Sequence, residues 1–499
     1  MNVERRVSRV VSVVSSSFFI SALAFVGPSL GERTPLRTDH HPSPSPSTSW
    51  VDVRKIKWGA GAEWVFANRA VDDTAVVRAF RTLRVQIIRF PGGLFSNYWS
   101  LSRGRMLDLS VPIDPKTARR RDWYDGPLGH GGLARLVPSR AAHAASELGA
   151  QVVWVVSPYS PWLLDDAKVA ARLTPPGDTL FLELGNELYD GYYLRQPITV
   201  DSLARLAAVL EVALRGAGVT AAVALPTVEA PLLAASPDRA RWDAQSLDST
   251  PPGARTLHIY VDGGWTGASN RTLSPGEILH QDVSPALARA ARKGSALWLT
   301  EVNLNAYRPS VELGKEHVTA GSAKQGLLVS DLLMELAASR PGPAMILIHS
   351  LMESKPYGMF STGDVGSPDS AIRFRGTTPP VVLALAVLVG ADSVRWIDVP
   401  PSQTGEDPPR ELEVRKGAQA TLLIVNWNHA PAPATAWRNS CAVGTVLAAR
   451  YPLRDSAVVA QSDADTLPGW TAARVVLHGD SSVTVPALSL TSLSSTCLP

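Results

Sequence analysis

The sequence predicts an α/β fold, a (β/α)8 TIM barrel followed by a C-terminal antiparallel β-sandwich domain. Short runs of Val, Ile and Leu alternate with helical segments from about residue 50 to 390, as in strand–helix units around a parallel sheet. Eight such pairs fit a closed barrel with enlarged loops. After residue 390, short β-rich segments separated by Gly, Pro, Asp and Asn replace this alternation, which indicates an antiparallel domain.

The individual elements follow from these local patterns. Strands are predicted over 55–61, 84–90, 151–157, 179–185, 221–227, 256–262, 296–302 and 344–350. Helices are predicted over 72–83, 139–149, 201–218, 284–294, 323–340 and 379–390, and several begin with Asp or Ser and end near Gly. The alternative, an open doubly wound sheet, usually has a glycine-rich phosphate loop after its first strand, and the segment 59–64 does not complete G-x-G-x-x-G.

The N-terminus has the composition of an export signal. Three arginines precede an apolar stretch with a small-residue cleavage site at Ala22–Leu23–Ala24. Serines dilute that stretch, so a signal peptide is favoured over an uncleaved membrane anchor. We expect a protein that is secreted or associated with the cell envelope, with no stable membrane span after processing. The predicted segments are a signal peptide (1–26), a Pro/Ser-rich linker (27–49), the barrel (50–390) and the β-sandwich domain (391–499).

Composition narrows the possible partners. A formal net charge of +3 over 499 residues gives no reason to expect a nucleic-acid partner.

Cys441 and Cys497 are the only cysteines, and in an exported protein a disulfide between them is expected, the alternative being two unpaired buried thiols. No zinc-protease, EF-hand or paired-cysteine spacing occurs, so we predict no catalytic metal and no cofactor. The oligomeric state stays open.

Candidate chemistry lies at the strand ends, because catalytic groups of a parallel barrel gather at the C-terminal rim. Glu187 ends the fourth predicted strand and Glu301 ends the seventh. A single glutamate at such a place is more often a rim salt bridge. Strands four and seven, however, lie on opposite sides of an eight-stranded ring, so these two side chains can face each other. Asn186 also ends the fourth strand, and other strands contain the polar residues Arg89, His258 and Tyr260.

Two facing carboxyl groups suit glycoside hydrolysis, in which one donates a proton to the leaving oxygen and the other attacks the sugar carbon. Arg89 near Glu301 would keep that carboxylate ionised, and apolar or like-charged neighbours would hold Glu187 neutral. Tyr260 could hydrogen-bond the nucleophile. The Asn186 amide could hold a sugar 2-hydroxyl, a contact that strengthens in the transition state.

Four motifs together resemble the retaining glycoside hydrolases of clan A. They are RFPGG (89–93), GNE (185–187), HIY (258–260) and LTEVN (299–303). RFPGGLF and WYDGPLG (123–129) are most similar to the α-L-arabinofuranosidase family, and LELGNE with a C-terminal β-sandwich also resembles the heparanase and β-glucuronidase-like family and β-xylosidases.

The resemblance implies a role for each matching residue. Glu187 matches the acid/base and Glu301 the nucleophile, and the supporting residues are Arg89, Asn186, His258 and Tyr260. The implied function is an exported retaining enzyme that cleaves O-glycosidic bonds of plant or microbial polysaccharides and oligosaccharides by double displacement.

Weaker candidates surround these motifs. Glu63 with Trp64, and Trp265 in a rim loop, could contact sugar or merely pack the barrel mouth. His349 fits a core or rim histidine better than a ligand. The basic run 116–121 could be a solvated face or a contact for an anionic substrate such as a uronic acid.

Two other functions share these features. A carbohydrate-binding protein on a degenerate barrel would have the same fold without turnover. A transglycosylase would use the same residues, and only its products would differ.

Overall fold

The protein is described as a computed structural model. The residues described are 48–63, 65, 69–107, 135–189, 198–228, 237–248, 253–261, 275–304, 310–313, 316–319, 321–352, 358–361, 372–399, 408–428, 431–434, 445–452, 471–476, 483–485 and 489–496.

Eight parallel strands close into a barrel, and all eight lie where the sequence predicts them. The strands are β1 (Lys57–Gly61), β2 (Ile87–Phe90), β3 (Gln151–Val156), β4 (Leu180–Leu184), β5 (Ala221–Pro226), β6 (Ala254–Val261), β7 (Ala296–Leu304) and β8 (Met345–Ile348). Each strand pairs with its neighbours in sequence order, and β8 pairs with β1 to close the ring.

A helix separates each strand from the next, and one more helix follows β8. The helices are α1 (Thr74–Thr82), α2 (Pro138–Leu148), α3 (Leu163–Leu173), α4 (Val200–Gly216), α5 (Pro237–Asp248), α6 (Ser284–Arg292), α7 (Ala323–Ala338) and α8 (Thr378–Leu388). Side chains cap several of them as expected; the Asp73 carboxylate, for example, accepts from the Ala75 amide at 2.9 Å. The helices predicted from the sequence do not include α3 or α5.

The lower part of the barrel interior is filled by apolar side chains. They are Ile87, Val153, Phe181, Ala224, Ala254, Trp298, Met345 and Leu347. Because side chains alternate along a strand, the residues two positions further on point inward again, one layer higher. On β2 and β4 those residues are Arg89 and Glu183. The apolar layer therefore closes the barrel beneath a polar layer at the C-terminal rim.

The C-terminal part forms a seven-stranded antiparallel sheet. In spatial order its strands are Val51–Asp52, Ser393–Ile397, Arg410–Lys416, Gln419–Asn426, Ser489–Thr496, Thr445–Pro452 and Thr471–Val476. The first of them, Val51–Asp52, precedes the barrel in the chain and pairs antiparallel with Ser393–Ile397. A two-stranded sheet joins Ala432–Ala434 to Val483–Val485. The fold is thus a TIM barrel with a β-sandwich domain.

An ion-pair cluster joins the sheet to the barrel. The Arg410 guanidinium contacts the Asp331 carboxylate at 2.5 Å and also the Glu335 carboxylate, both on α7. Both carboxylates are buried. Among the residues that the structure describes, no helix has the length and hydropathy needed to cross a membrane.

Candidate active site

Arg89 on β2 is the centre of the polar layer and is fully buried. Its Nε and Nη2 donate to the two carboxylate oxygens of Glu183 at 2.6 and 3.0 Å. Its Nη1 donates to Glu301 Oε1 at 2.6 Å, and Nη2 also donates to Asn186 Oδ1 at 2.7 Å. Burial alone would lower the pKa of Arg89, but the charges of Glu183 and Glu301 raise it above its ordinary value. One cation therefore orients three side chains.

Glu183 is a third carboxylate, which the sequence analysis missed. It lies in β4, two residues above the apolar layer, and is fully buried. Burial alone would raise its pKa, but Arg89 and His258 lower it below the ordinary value, and Thr300 Oγ1 donates to it at 3.3 Å. The available signal was a charged residue in the middle of the apolar run FLEL, since such a group needs a partner from another strand.

Glu301 at the rim end of β7 is surrounded by donors. Besides Arg89, the Tyr260 hydroxyl donates to Glu301 Oε2, and His258 Nδ1 lies 3.5 Å from the same oxygen. Burial alone would raise the pKa of Glu301, but the nearby His258 and Arg89 cations and the tyrosine hydrogen bond place it well below its ordinary range. Glu301 is therefore ionised at neutral pH.

His258 on β6 lies among three carboxyl groups. Its Nδ1 is 2.9 Å from Glu187 Oε1, and its Nε2 is 3.8 Å from Glu183 Oε1. Burial opposes protonation, but Glu301, Glu183 and Glu187 together raise the pKa of His258 to about 10. The imidazole is thus a cation at neutral pH. Apolar and like-charged neighbours are predicted for Glu187. The structure places the like-charged Glu301 within 4.8 Å of it and also places this imidazole against it, which the sequence did not predict.

His349 follows β8 and completes the other side of the site. Its Nδ1 lies 3.4 Å from Glu63 Oε2 and 3.6 Å from Glu301 Oε2. Burial and the nearby Arg89 and His258 charges lower its pKa to about 4, although Glu301 acts in the opposite direction. His349 is therefore neutral at neutral pH. Glu63 packs against the backbone of Gly93, where an added Cβ would lie 1.7 Å from its Oε1.

The turn after β4 sets the position of Glu187. Gly185 has φ of 78°, and an added Cβ there would collide with the Leu188 side chain. The Asn97 side chain holds the Asn186 backbone from both sides: its Oδ1 accepts from the amide at 2.8 Å and its Nδ2 donates to the carbonyl at 2.7 Å. Glu187 itself has φ of 48°, a conformation that a non-glycine residue keeps only when its surroundings impose it.

The two rim glutamates meet as the strand positions require. A carboxylate oxygen of Glu187 and one of Glu301 lie within 4.8 Å of each other and of a His258 nitrogen. The Glu187 side chain is 23% exposed and that of Glu301 only 4%. The Glu301 carboxylate is thus enclosed by protein groups, and the Glu187 carboxyl group is partly open to solvent and to a leaving group.

The same side chains are spaced closely enough to hold a metal ion. Within the described residues two such groups occur, one of Glu187, His258 and Glu301 and one of Glu63, His349 and Glu301. In both groups Glu301 already accepts from Arg89 and Tyr260. The absence of a catalytic metal stays a prediction.

Most of the residues proposed from sequence converge here. The structure brings together Glu63, Arg89, Asn186, Glu187, His258, Tyr260 and Glu301. Trp64, Trp265, the run 116–121 and the predicted Cys441–Cys497 disulfide lie outside the described residues. Sequence reasoning missed Glu183 and Asn97 and gave His349 no role in the site.

Comparisons with known proteins bear on the fold. A scan of protein-family models finds no match, nor does a search of curated proteins. Solved structures do match. An α-L-arabinofuranosidase from Thermotoga maritima, solved with arabinose, has a TM-score of 0.61 and 13% identity over 89% of this chain and 97% of its own. A family 51 α-L-arabinofuranosidase from Bifidobacterium longum matches with a TM-score of 0.59 and 13% identity, over 91% of this chain and 97% of its own.

A family 30 xylanase from Clostridium acetobutylicum gives a TM-score of 0.50 and 11% identity over 90% of this chain and 100% of its own. At these identities the matches establish a shared fold. The chain therefore has the barrel-and-sandwich architecture of these glycoside hydrolases.

Proposed function

We propose that this protein is a glycosidase that cleaves O-glycosidic bonds with retention of anomeric configuration. The observation that carries the proposal is the pair Glu187 and Glu301, of which one carboxyl oxygen each lies within 4.8 Å of the other. Retaining enzymes hold their two carboxyl groups about 5 to 5.5 Å apart, whereas inverting enzymes leave about 6.5 to 9.5 Å for a water molecule.

In the first step the Glu301 carboxylate attacks the anomeric carbon while the bond to the leaving oxygen breaks. Glu187 donates its proton to that oxygen, and a covalent glycosyl–enzyme ester forms. Arg89 and Tyr260 hold Glu301 in place before the attack. Because Arg89 donates to the side-chain oxygen Oδ1 of Asn186, the side-chain amide has its Nδ2 group left as a donor to the sugar 2-hydroxyl.

In the second step Glu187 removes a proton from water, the water oxygen attacks the anomeric carbon, and the ester bond to Glu301 breaks. Two inversions give net retention. The contact between His258 and Glu187 supports this exchange, since an imidazolium stabilises Glu187 each time it becomes a carboxylate.

The substrate proposed is a plant or microbial polysaccharide or oligosaccharide, with arabinofuranosides as the first class to test. The likeness in fold to α-L-arabinofuranosidases and the RFPGG motif support this choice. We also propose that the protein is exported, on the N-terminal pattern of arginines and apolar residues. Sequencing the N-terminus of the mature protein tests that part.

A panel of aryl arabinofuranosides, xylosides, glucosides and glucuronides tests the activity, and NMR of the first product tests the stereochemistry. Glu301→Gln should lower kcat by about 10³-fold or more, with the fold intact by circular dichroism. Glu147→Gln, an exposed change on α2, is the control. Inversion of configuration, or near-normal activity of the Glu301 variant, contradicts the mechanism. Sugar binding without any hydrolysis would instead favour a binding protein.

A further inference from the structure

A short hairpin follows the 3₁₀ turn after β2 and carries two exposed arginines. Trp99–Ser100 pairs with Arg105–Met106, and Arg103 lies in the turn between them. Both guanidinium groups lie over the same indole ring, that of Trp162, at 5.1 Å for Arg103 and 5.2 Å for Arg105. We call these three residues the arginine–tryptophan cluster.

The cluster is held in place by a buried carboxylate. Asp166 on α3 accepts from Ser100 Oγ and the Ser102 amide, both at 2.7 Å, and from Ser160 Oγ at 2.8 Å. An unpaired buried carboxylate is costly, and these three bonds compensate it. Their structural effect is to fix the hairpin against the loop that carries Trp162. The two guanidinium groups are therefore positioned before any ligand binds, which reduces the entropy lost on binding.

The cluster lies on the catalytic face of the barrel. Trp162 packs against Tyr98 and Leu107, and Tyr98 directly follows Asn97, the residue that holds the Asn186 backbone. Tyr98 and Asn97 thus connect the cluster to the turn that carries Glu187. A sugar bound at the cluster would be a neighbour of the residue being cleaved, not that residue itself.

The charge around the cluster favours an anion. Arg103 lies 3.5 Å from the exposed Asp165 carboxylate, and within the described part of the chain no carboxylate lies within ion-pair distance of Arg105. Asp166 is buried and engaged with its three donors. A guanidinium binds carboxylate or sulfate oxygens in pairs, and the partly exposed indole suits the apolar face of a sugar.

We propose that Arg103, Arg105 and Trp162 form a distal subsite for an anionic sugar, one that bears a carboxylate or a sulfate group. This inference deepens the proposed glycosidase function and rests on it for the position of the substrate. It uses residues other than the basic run 116–121. It implies that the preferred substrate is a glycan with acidic residues beside the cleaved bond.

Three probes test the subsite on the intact protein: a xylo-oligosaccharide bearing one glucuronic acid, the same oligosaccharide bearing one sulfate, and their neutral parent. Calorimetry gives Kd for each, and where a probe is cleaved, KM replaces Kd. Arg105→Gln and Arg103→Gln should each weaken binding of an acidic probe about three- to ten-fold and leave the neutral parent unchanged. The carboxylate and sulfate arms show which anion is preferred.

Arg172→Gln is the matched control, since Arg172 is exposed at the other end of α3 and should have no effect on any probe. Equal binding of acidic and neutral probes, no binding of either acidic probe, or an equal loss with all three probes overturns the subsite. Aryl-glycoside hydrolysis, measured separately, reports on the catalytic pair. A selective loss without hydrolysis would leave the subsite standing and reject the glycosidase.

Discussion

At the scale of single residues, the site depends on how a buried cation is shared. Arg89 donates hydrogen bonds to Glu183, Glu301 and Asn186 at once. Removing any one of these partners therefore alters how Arg89 holds the other two. Glu183 is fully buried beneath the rim, where it bonds Arg89 and stabilises the His258 imidazolium. It is a positioning residue.

Glu183→Gln should therefore change the electrostatics of the site and not only its stability. Because the Glu183 charge raises the pKa of His258, the substitution should move that pKa down from about 10, which NMR titration of the imidazole measures. We expect kcat to fall by roughly ten-fold or more and stability to fall by about 3 kcal/mol. A purely structural role would lower stability and leave the His258 titration unchanged, and that result would reject our assignment.

At the scale of elements, the turn after β4 is held by the 3₁₀ segment after β2. Asn97 lies in that segment (Leu94–Tyr98), and its two hydrogen bonds fix the Asn186 backbone just before the left-handed Glu187. Ser157 Oγ at the end of β3 in turn donates to the Asn97 carbonyl at 2.7 Å. Three neighbouring strands thus cooperate to aim one side chain.

Asn97→Ala should lower kcat more than it changes KM. A shift of about 1 Å in a catalytic group can cost about 10²-fold in rate, and substrate contacts elsewhere stay intact. Asn426→Ala is the control: Asn426 is a buried asparagine of the sheet whose side chain also bonds backbone, and its loss should reduce stability without reducing kcat. Equal kcat losses in both variants would mean that Asn97 acts only through global stability.

At the scale of the whole molecule, the junction between barrel and sheet is ionic. Arg410 is the cation for both Asp331 and Glu335 and lies over the Trp396 ring at 4.5 Å. Trp427 Nε1 also donates to Asp331 at 3.1 Å. Burial raises the pKa of Glu335, and the Arg410 charge acts in the opposite direction. Removing the Arg410 charge would therefore leave the buried Glu335 carboxylate poorly stabilised.

Arg410→Gln should destabilise the protein by about 3 to 5 kcal/mol, because two buried carboxylates lose their cation. Urea unfolding measures the change. Arg54→Gln removes an exposed pair with Asp52 and should have little effect. Wild-type stability of the Arg410 variant would show that the junction does not depend on this ion pair.

The two site histidines predict how stability depends on pH. The pKa of His258 is raised from 6.5 to about 10, so its contribution is complete below pH 6.5 and is lost as pH rises toward 10. The pKa of His349 is lowered to about 4, so its contribution is complete above pH 6.5 and is lost as pH falls toward 4. Together they predict greatest stability near pH 6.5.

Thermal unfolding between pH 4 and 10 tests this expectation. His258→Gln should flatten the alkaline decline and His349→Gln the decline between pH 6.5 and 4. Below about pH 4.5 the carboxyls with lowered pKa values, Glu183 and Glu301, add a further loss on acidification. If each variant keeps the wild-type profile, the histidines are not the groups responsible.

Local sequence patterns were enough to locate the eight barrel strands and the residues at their rim ends. Hydrophobic periodicity and caps are local, and a closed parallel barrel leaves one place where strand ends meet. Glu187 and Glu301 followed from that rule, and so did the presence of Arg89, His258 and Tyr260 nearby.

The interactions among these groups, by contrast, depend on contacts that form only in the folded chain. In the sequence Glu183 is a single charge in an apolar strand, and its partner Arg89 lies on another strand. Asn97 has no local signal, because the backbone group that it bonds is 89 residues away in the chain. Arg103, Arg105 and Trp162 meet only because Asp166 fixes a hairpin onto α3. Contacts and pKa shifts depend on distances between strands that no local pattern encodes, so the partners of each charged group emerged only from the folded chain.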